Sequence, residues 1–207
     1  MPSFLIHLAT ASKINEIIKK DERKILLGAI APDISKFVGL SRDDSHFIKD
    51  GHPFLSDFLA KYKNNLDDDF VLGYFIHLYT DYLWSKYFIS EIYDEDKMII
   101  HLLSDEKIKN KNDLLLQYIY NDYSFVNEYI LNKYDLNLNI LKNVNDIETQ
   151  IDEIPYDKLD VLVFNLFEMM KDKRKNNFIF NNEDIDKFID TSVMIILGEI
   201  NSLEVFY

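Results

Sequence analysis

Two histidine and aspartate pairs with the same spacing are the part of this sequence best suited to chemistry. His77 and Asp81 lie within GYFIHLYTDYLW, and His101 and Asp105 lie within MIIHLLSDE. On a helix this spacing puts imidazole and carboxylate one turn apart on one face, where both can bind one metal ion. The chain has no cysteine, so a transition-metal site must use His and carboxylate ligands. The two pairs therefore predict a metal site.

Three further candidate ligands precede these pairs, and each also has a simpler explanation. His7 lies near the start of a predicted helix, where it could be a buried core histidine. Asp33 ends the motif GAIAPD and could be a turn or capping residue. His46, in SHF, could belong to a capping cluster, and His52 has no evident partner. Taken singly, none of them predicts a metal ligand.

The surroundings of the two pairs differ. Between residues 70 and 87 only Asp81 and Lys86 carry a formal charge, so the helix that contains them should be packed on nearly every side. An unpaired ionised aspartate is costly in such an interior, and Asp81 therefore requires a cation, strong hydrogen-bond donors or water, or else must be protonated. Gly73 precedes His77 by one turn and leaves room beside the two polar groups. The second pair faces away from its apolar neighbours, which favours a solvated surface.

The elements that must position these residues are predicted to be helices. The chain of 207 residues has only 5 Gly and 4 Pro, which favours long helices and an all-α fold. Helices are predicted over residues 4–20, 22–31, 67–93, 94–107, 112–134, 156–173 and 183–199. Residues 33–53 are predicted to be a loop with short helical pieces, and residues 135–155 an irregular connection. We expect one multi-helix domain over 1–207, with the metal site in 1–110 and a helical remainder in 111–207.

Charge and composition restrict the partners. Lys and Arg number 23 against 36 Asp and Glu, and the net charge of -13 opposes binding to nucleic acid. No apolar stretch reaches the roughly 20 residues that cross a bilayer, and no signal peptide is evident. We therefore expect a cytoplasmic protein without a transmembrane segment.

Taken in order, the candidate ligands and their motifs resemble a known family. The series His7, GAIAPD, SHF and GYFIHLYTDYLW is similar to the bacterial zinc-dependent phospholipase C superfamily, which is related to the S1/P1 nucleases. The resemblance covers about the first half of the chain. It implies an all-helical bundle that holds up to three zinc ions in a cleft.

The resemblance also implies how ligands are shared between the ions. By position, Asp33, His46, His77 and Asp81 would hold one zinc ion. Asp81 would bridge to a second ion, which His7 would also bind.

A third ion is less well supported. His101 and Asp105 follow His77 at the family's spacing for the His and Glu of the remaining ion, with Asp in place of Glu. The secreted enzymes use an N-terminal Trp as a zinc ligand, whereas this chain begins MPSF. Ser85 and Tyr87 occupy the region where a further histidine is expected. One or two zinc ions are therefore predicted, with three possible.

The function implied is hydrolysis of phosphoesters. An ion with an open coordination position lowers the pKa of a bound water to near 7, so the activated water can attack phosphorus. Asp33 is the candidate for orienting this water, as the carboxylate expected to be freest on its loop. A small phosphodiester or a phospholipid is the expected substrate. The alternative is a non-catalytic helical binding or scaffold protein, with a vestigial or structural metal site or with His77 and Asp81 as a buried hydrogen-bonded pair.

Overall fold

Helices make up most of the chain, as predicted. The structure is a computed structural model that describes residues 1–142, 144, 147–148 and 150–203. The predicted all-α, single-domain fold is confirmed, and no helix in these residues is long and apolar enough to cross a membrane. The helices are α1 (Phe4–Ile18), α2 (Glu22–Gly28), α3 (Ser35–Val38), α4 (Arg42–His46), α5 (Leu55–Tyr62), α6 (Asp69–Leu83), α7 (Ile89–Ile92), α8 (Leu114–Lys133), α9 (Leu159–Met169) and α10 (Asn182–Ser202).

Short antiparallel strands replace one predicted helix. Residues 94–107 were predicted to be helical, and this is wrong, because β3 (Tyr93–Asp94), β4 (Ile99–His101) and β5 (Lys107–Lys109) pair in that order. Ile100 is fully buried while its two neighbours on β4 are partly exposed, which is the alternation of a strand. The turn after β4 places Asp105 at φ 65°, a left-handed conformation that Asp tolerates. A second hairpin, β1 (Ile48–Lys49) with β2 (His52–Pro53), lies in the predicted loop.

Polar side chains fix the starts of the helices that carry the site. The Ser3 hydroxyl accepts a hydrogen bond from the backbone N–H of Ile6 and caps α1. Asp68 caps α6 by accepting from the backbone N–H groups of Phe70 and Val71. The carboxylate of Asp68 also suits the positive end of the helix dipole.

Helices α2 and α6 pack with their backbones in close contact. A Cβ atom added to Gly28 would lie 2.2 Å from the carbonyl oxygen of Phe70, and one added to Gly73 would lie 2.2 Å from that of Ile25. Only glycine permits this approach. The close contact brings the end of α2 beside the polar face of α6.

Helix α6 is surrounded by apolar side chains, as its sequence predicted. Phe70, Tyr74, Phe75 and Leu78 are all fully buried in the core that the other helices cover. After Leu83 the chain continues through one π-helical turn, Trp84–Phe88, before α7. Such turns are rare and often lie beside functional residues.

One buried carboxylate fastens the segment before α10 to α8. Asp122 is fully buried and accepts hydrogen bonds from the backbone N–H groups of Phe178, Ile179 and Phe180 at 2.7 to 3.1 Å. These N–H groups have no strand or helix to pair with. The carboxylate therefore accepts the hydrogen bonds that backbone carbonyl groups would accept in a helix or a strand.

Replacing Asp122 by alanine is expected to lower the free energy of unfolding by about 3 kcal/mol, because it leaves buried N–H groups without an acceptor. Urea denaturation would measure the change. Glu128→Ala is the control on the same helix, since its ion pair with Lys173 is exposed and should contribute less than about 1 kcal/mol. Equal stability of the two variants would contradict the role given to Asp122.

Candidate metal centre

Five of the predicted ligands meet in the interior, although they come from four separate elements. His7 lies on α1, Asp33 in the 3-10 turn Ala31–Ile34, His46 at the end of α4, and His77 and Asp81 on α6. The three histidines are fully buried, and the two aspartates are 1% exposed. A cluster of five buried ionisable side chains is unusual, because each buried charge must be neutralised.

Local structure determines where two of these side chains, His46 and Asp33, lie. Helix α4 is capped by Ser41 and stops at Phe47, whose φ of 52° turns the chain directly after His46. The Tyr74 hydroxyl donates to the carbonyl oxygen of Ser45 and fastens α4 to α6. Asp33 was expected to be the freest carboxylate on a loop, and this is wrong, because its 3-10 turn is buried.

The distances between pairs of candidate ligand atoms are similar to those between two ligands of a small metal ion. Two ligands about 2.1 Å from a tetrahedral zinc ion lie about 3.4 Å apart. His7 Nε2 lies 3.4 Å from Asp81 Oδ1, and His46 Nε2 lies 3.3 Å from Asp33 Oδ1. His46 Nε2 and His77 Nε2 lie 3.7 and 3.8 Å from Asp81 Oδ2.

Hydrogen bonds on the far side of two imidazoles fix which nitrogen faces the cluster. His77 Nδ1 lies 2.8 Å from the carbonyl oxygen of Ala29, which can only accept, so Nδ1 carries the proton and Nε2 keeps its lone pair. His46 Nδ1 lies 2.8 Å from the Ser45 hydroxyl and 3.2 Å from the carbonyl oxygen of Arg42. Such outer partners are typical of histidines that bind metals.

The atoms that face inward lack hydrogen bonds. Within the described part of the chain, the Nε2 atoms of His7, His46 and His77 and the Oδ1 atom of Asp81 are buried without a hydrogen-bond partner. His77 Nε2 lies 3.8 Å from Asp81 Oδ2, which is too far for a hydrogen bond. The two side chains therefore do not form the buried hydrogen-bonded pair of the alternative prediction. Three of these residues, His7, His77 and Asp81, form a group that could hold a metal ion.

The residues form two overlapping candidate ligand groups. His7, His77 and Asp81 make one group, and Asp33, His46 and His77 make the other, with all ligand atoms of each group within 4.8 Å of one another. His77 belongs to both groups. Its Nδ1 donates a hydrogen bond to the carbonyl oxygen of Ala29, so only Nε2 can bind a metal. His77 can therefore be a ligand of one ion at a time.

Two of the histidine rings are stacked, and one of them, His77, is neutral. The His7 and His77 rings stack with centroids 3.8 Å apart and planes 11° from parallel, which two imidazolium cations would oppose. Burial, followed by the repulsion from His7, lowers the pKa of His77 well below its ordinary value, although Asp81 and Asp33 act in the opposite direction. His77 is therefore neutral near pH 7, the form in which it can bind a metal.

The two carboxylates are ionised despite their burial. Burial raises the pKa of Asp33, but the Lys36 ammonium and then the contact with His46 outweigh it and hold the pKa well below its usual range. For Asp81, the contact with His7 and the neighbouring imidazoles similarly outweigh burial and lower the pKa. Both side chains thus offer anionic oxygens to a cation.

The cluster opens to solvent through one cavity of about 240 Å³. Asp33 and Asp81 line this cavity, together with Lys36 and Arg42. Arg42 Nη2 lies 3.3 Å from Asp81 Oδ2, and Lys36 Nζ lies 2.8 Å from Asp33 Oδ1. Sequence reasoning missed both cations, because nothing in SRDDSH or APDISK distinguishes them from surface residues.

The second predicted pair lies elsewhere. His101 is on β4 and Asp105 in the following turn, so they do not share a helical face. Among the described residues, neither belongs to a group that could hold a metal ion. His101 instead lines a separate cavity beside Phe180 and Phe188. His52 packs near the ring of Tyr82, with centroids 5.7 Å apart.

Comparisons with family models, with curated proteins and with solved structures found no match to this chain. The geometry of the buried cluster is therefore the basis for any functional conclusion. That geometry supports a candidate metal site formed by His7, Asp33, His46, His77 and Asp81.

Proposed function

We propose that this protein is a metal-dependent hydrolase of phosphoesters, and that its metal is zinc. The observation that carries the proposal is the convergence of three unpaired imidazole nitrogens and two ionised carboxylates at ligand spacing. The order of the motifs that contain them, which resembles the zinc-dependent phospholipase C superfamily, agrees with this proposal.

The donor set suits zinc. Imidazole nitrogen and carboxylate oxygen are common zinc ligands, and catalytic zinc sites typically use three protein ligands and leave one position open. Either candidate group supplies three such ligands. Because His77 can serve only one ion, we propose one zinc ion with three protein ligands and one open position, and a second ion held by fewer protein ligands.

The proposed reaction is the addition of water to phosphorus with cleavage of the ester P–O bond. Zinc would supply a Lewis acid that polarises the phosphoryl group and promotes ionisation of water. Asp33 lines the cavity and is ionised, so it can accept a hydrogen bond from the attacking water and orient it. The proton that the water loses passes to the departing alkoxide, which leaves as the alcohol, and the hydroxyl of the water stays on phosphorus.

The cavity limits the proposed substrates. A volume of about 240 Å³ suits a phosphate group with a small substituent. The net charge of -13 disfavours a polynucleotide. A small phosphodiester, or the headgroup of a phospholipid, remains the proposed substrate.

Hydrolysis of bis(p-nitrophenyl) phosphate tests this function. The zinc-loaded protein is expected to release p-nitrophenol, and chelation followed by zinc addition should abolish and then restore the activity. Asp33→Asn should lower kcat by about 100-fold or more, as expected for loss of the anionic group that positions the attacking water. Stoichiometric zinc without hydrolysis of this ester or of a phospholipid would favour the alternative, a structural metal site in a binding protein.

A further inference from the structure

We propose that Lys36 and Arg42 form a clamp for the phosphoryl group of the substrate, an inference that rests on the proposed function. Both side chains line the cavity that leads to the candidate metal centre. Neither was a candidate ligand in the sequence, and neither can bind a metal cation. Their position at the cavity instead suits the binding of an anion.

Each cation contacts one candidate ligand carboxylate and retains capacity for another partner. Lys36 Nζ lies 2.8 Å from Asp33 Oδ1, and its side chain is 31% exposed. The Arg42 side chain is 36% exposed. Its Nη2 atom contacts Asp81, and its Nε atom contacts the sulfur of Met1. A guanidinium has five N–H donors, and an ammonium has three. Several donors of each group can therefore turn toward an anion in the cavity.

The local charge also favours an anion. The two cations balance the two carboxylates. A divalent ion held by these residues would make the region positive by at least two charges, in a chain whose net charge is -13. An anionic ligand would restore neutrality. The attraction between this ligand and the positive groups is stronger in a cavity than in bulk water.

The chemistry of the two groups fits phosphate oxygens. Arg presents a planar fork that can bind two oxygens of one phosphate, while Lys acts as a compact charge. Lys36 contacts Asp33 and Arg42 contacts Asp81. From these positions the two cations would contact the phosphate oxygens whose bonds to phosphorus are not broken in hydrolysis. This arrangement would fix the phosphoryl group beside Asp33 and stabilise the charge that develops on it.

Inorganic phosphate is the probe for this clamp, titrated calorimetrically into zinc-loaded protein freed of excess zinc. Lys36→Met and Arg42→Met are each expected to weaken phosphate binding at least about tenfold while zinc content stays at the wild-type level. Arg42→Lys keeps the charge but loses the fork, and should bind phosphate with an affinity between those of the wild type and Arg42→Met. Lys13→Met is the control, because Lys13 is equally exposed, at 32%, and pairs with Asp190 away from the cavity.

The outcomes separate this inference from the function on which it rests. Unchanged phosphate affinity in both Lys36→Met and Arg42→Met, with zinc retained, overturns the clamp and leaves the metal centre intact. Loss of zinc from these variants also overturns it, since the cations would then only hold the carboxylates. A wild-type protein that binds no zinc overturns the proposed function itself. The side chains are partly exposed, so we expect both variants to fold.

Discussion

Replacing Asp81 by asparagine is expected to lower zinc affinity by at least about a hundredfold. Loss of an outer partner of a metal ligand already costs roughly 10 to 100-fold in affinity, and Asp81 is proposed to bind the ion directly. The substitution preserves the size of a side chain that is 1% exposed, so the fold should persist. Competition with a chromophoric chelator would measure the affinity, and a far-ultraviolet circular dichroism melt would check the fold.

Asp105→Asn is the matched control for this experiment. Asp105 follows His101 at the same spacing as Asp81 follows His77, but it lies in an exposed turn. Asparagine tolerates its left-handed backbone conformation, so the substitution should leave both fold and zinc affinity unchanged. Equal effects of the two substitutions would show that the ligands of the site have been assigned wrongly.

Replacing Gly28 by alanine is expected to lower the free energy of unfolding by about 3 kcal/mol or more. The added methyl group would lie 2.2 Å from the carbonyl oxygen of Phe70 and 3.0 Å from the Cα atom of Gly73, so the backbones of α2 and α6 must separate. Overpacking of this kind usually costs 1 to 3 kcal/mol, and a clash with backbone is harder to relieve than one with a side chain. Urea denaturation would measure the change.

The same substitution should also disturb the metal centre. Gly28 immediately precedes Ala29, whose carbonyl oxygen accepts the hydrogen bond from His77 Nδ1. Gly198→Ala is the control, because nothing lies within 4 Å of a Cβ atom there and alanine is the better helix former by roughly 0.5 to 1 kcal/mol. If Gly28→Ala were as stable as Gly198→Ala, the close packing of α2 and α6 would be wrong.

The sequence predicted that His77 and Asp81 lie together on a buried helix, because α6 carries a strong signal. A long apolar helix with one aspartate requires a partner for that charge, and the regular spacing of a helix places His77 on the same face. Gly73 was expected to leave room beside the two polar groups, and in the structure the backbone of α2 lies against it. The structure adds what spacing along one helix could not provide, namely the contacts from α1, α4 and the turn at Asp33.

The second pair shows where spacing misleads. HLLSDE fits a helix as well as a strand and turn, since a short apolar run has no clear period. Pairing of β4 with β3 and β5 decides the outcome, and these contacts depend on tertiary structure. Lys36 and Arg42 were missed for a related reason. The residues around a lysine or arginine in the sequence do not indicate whether its side chain lies on the surface or lines a cavity.

Metal analysis of the full chain, purified without chelators, tests the central claim most directly. Inductively coupled plasma mass spectrometry is expected to find at least one equivalent of zinc per chain. Removal of zinc with EDTA should lower the melting temperature, because an ion present at 100 times its dissociation constant stabilises a fold by about 2.7 kcal/mol. Absence of any stoichiometric transition metal, with a melting temperature that EDTA leaves unchanged, would contradict the metal centre and the hydrolase proposed from it.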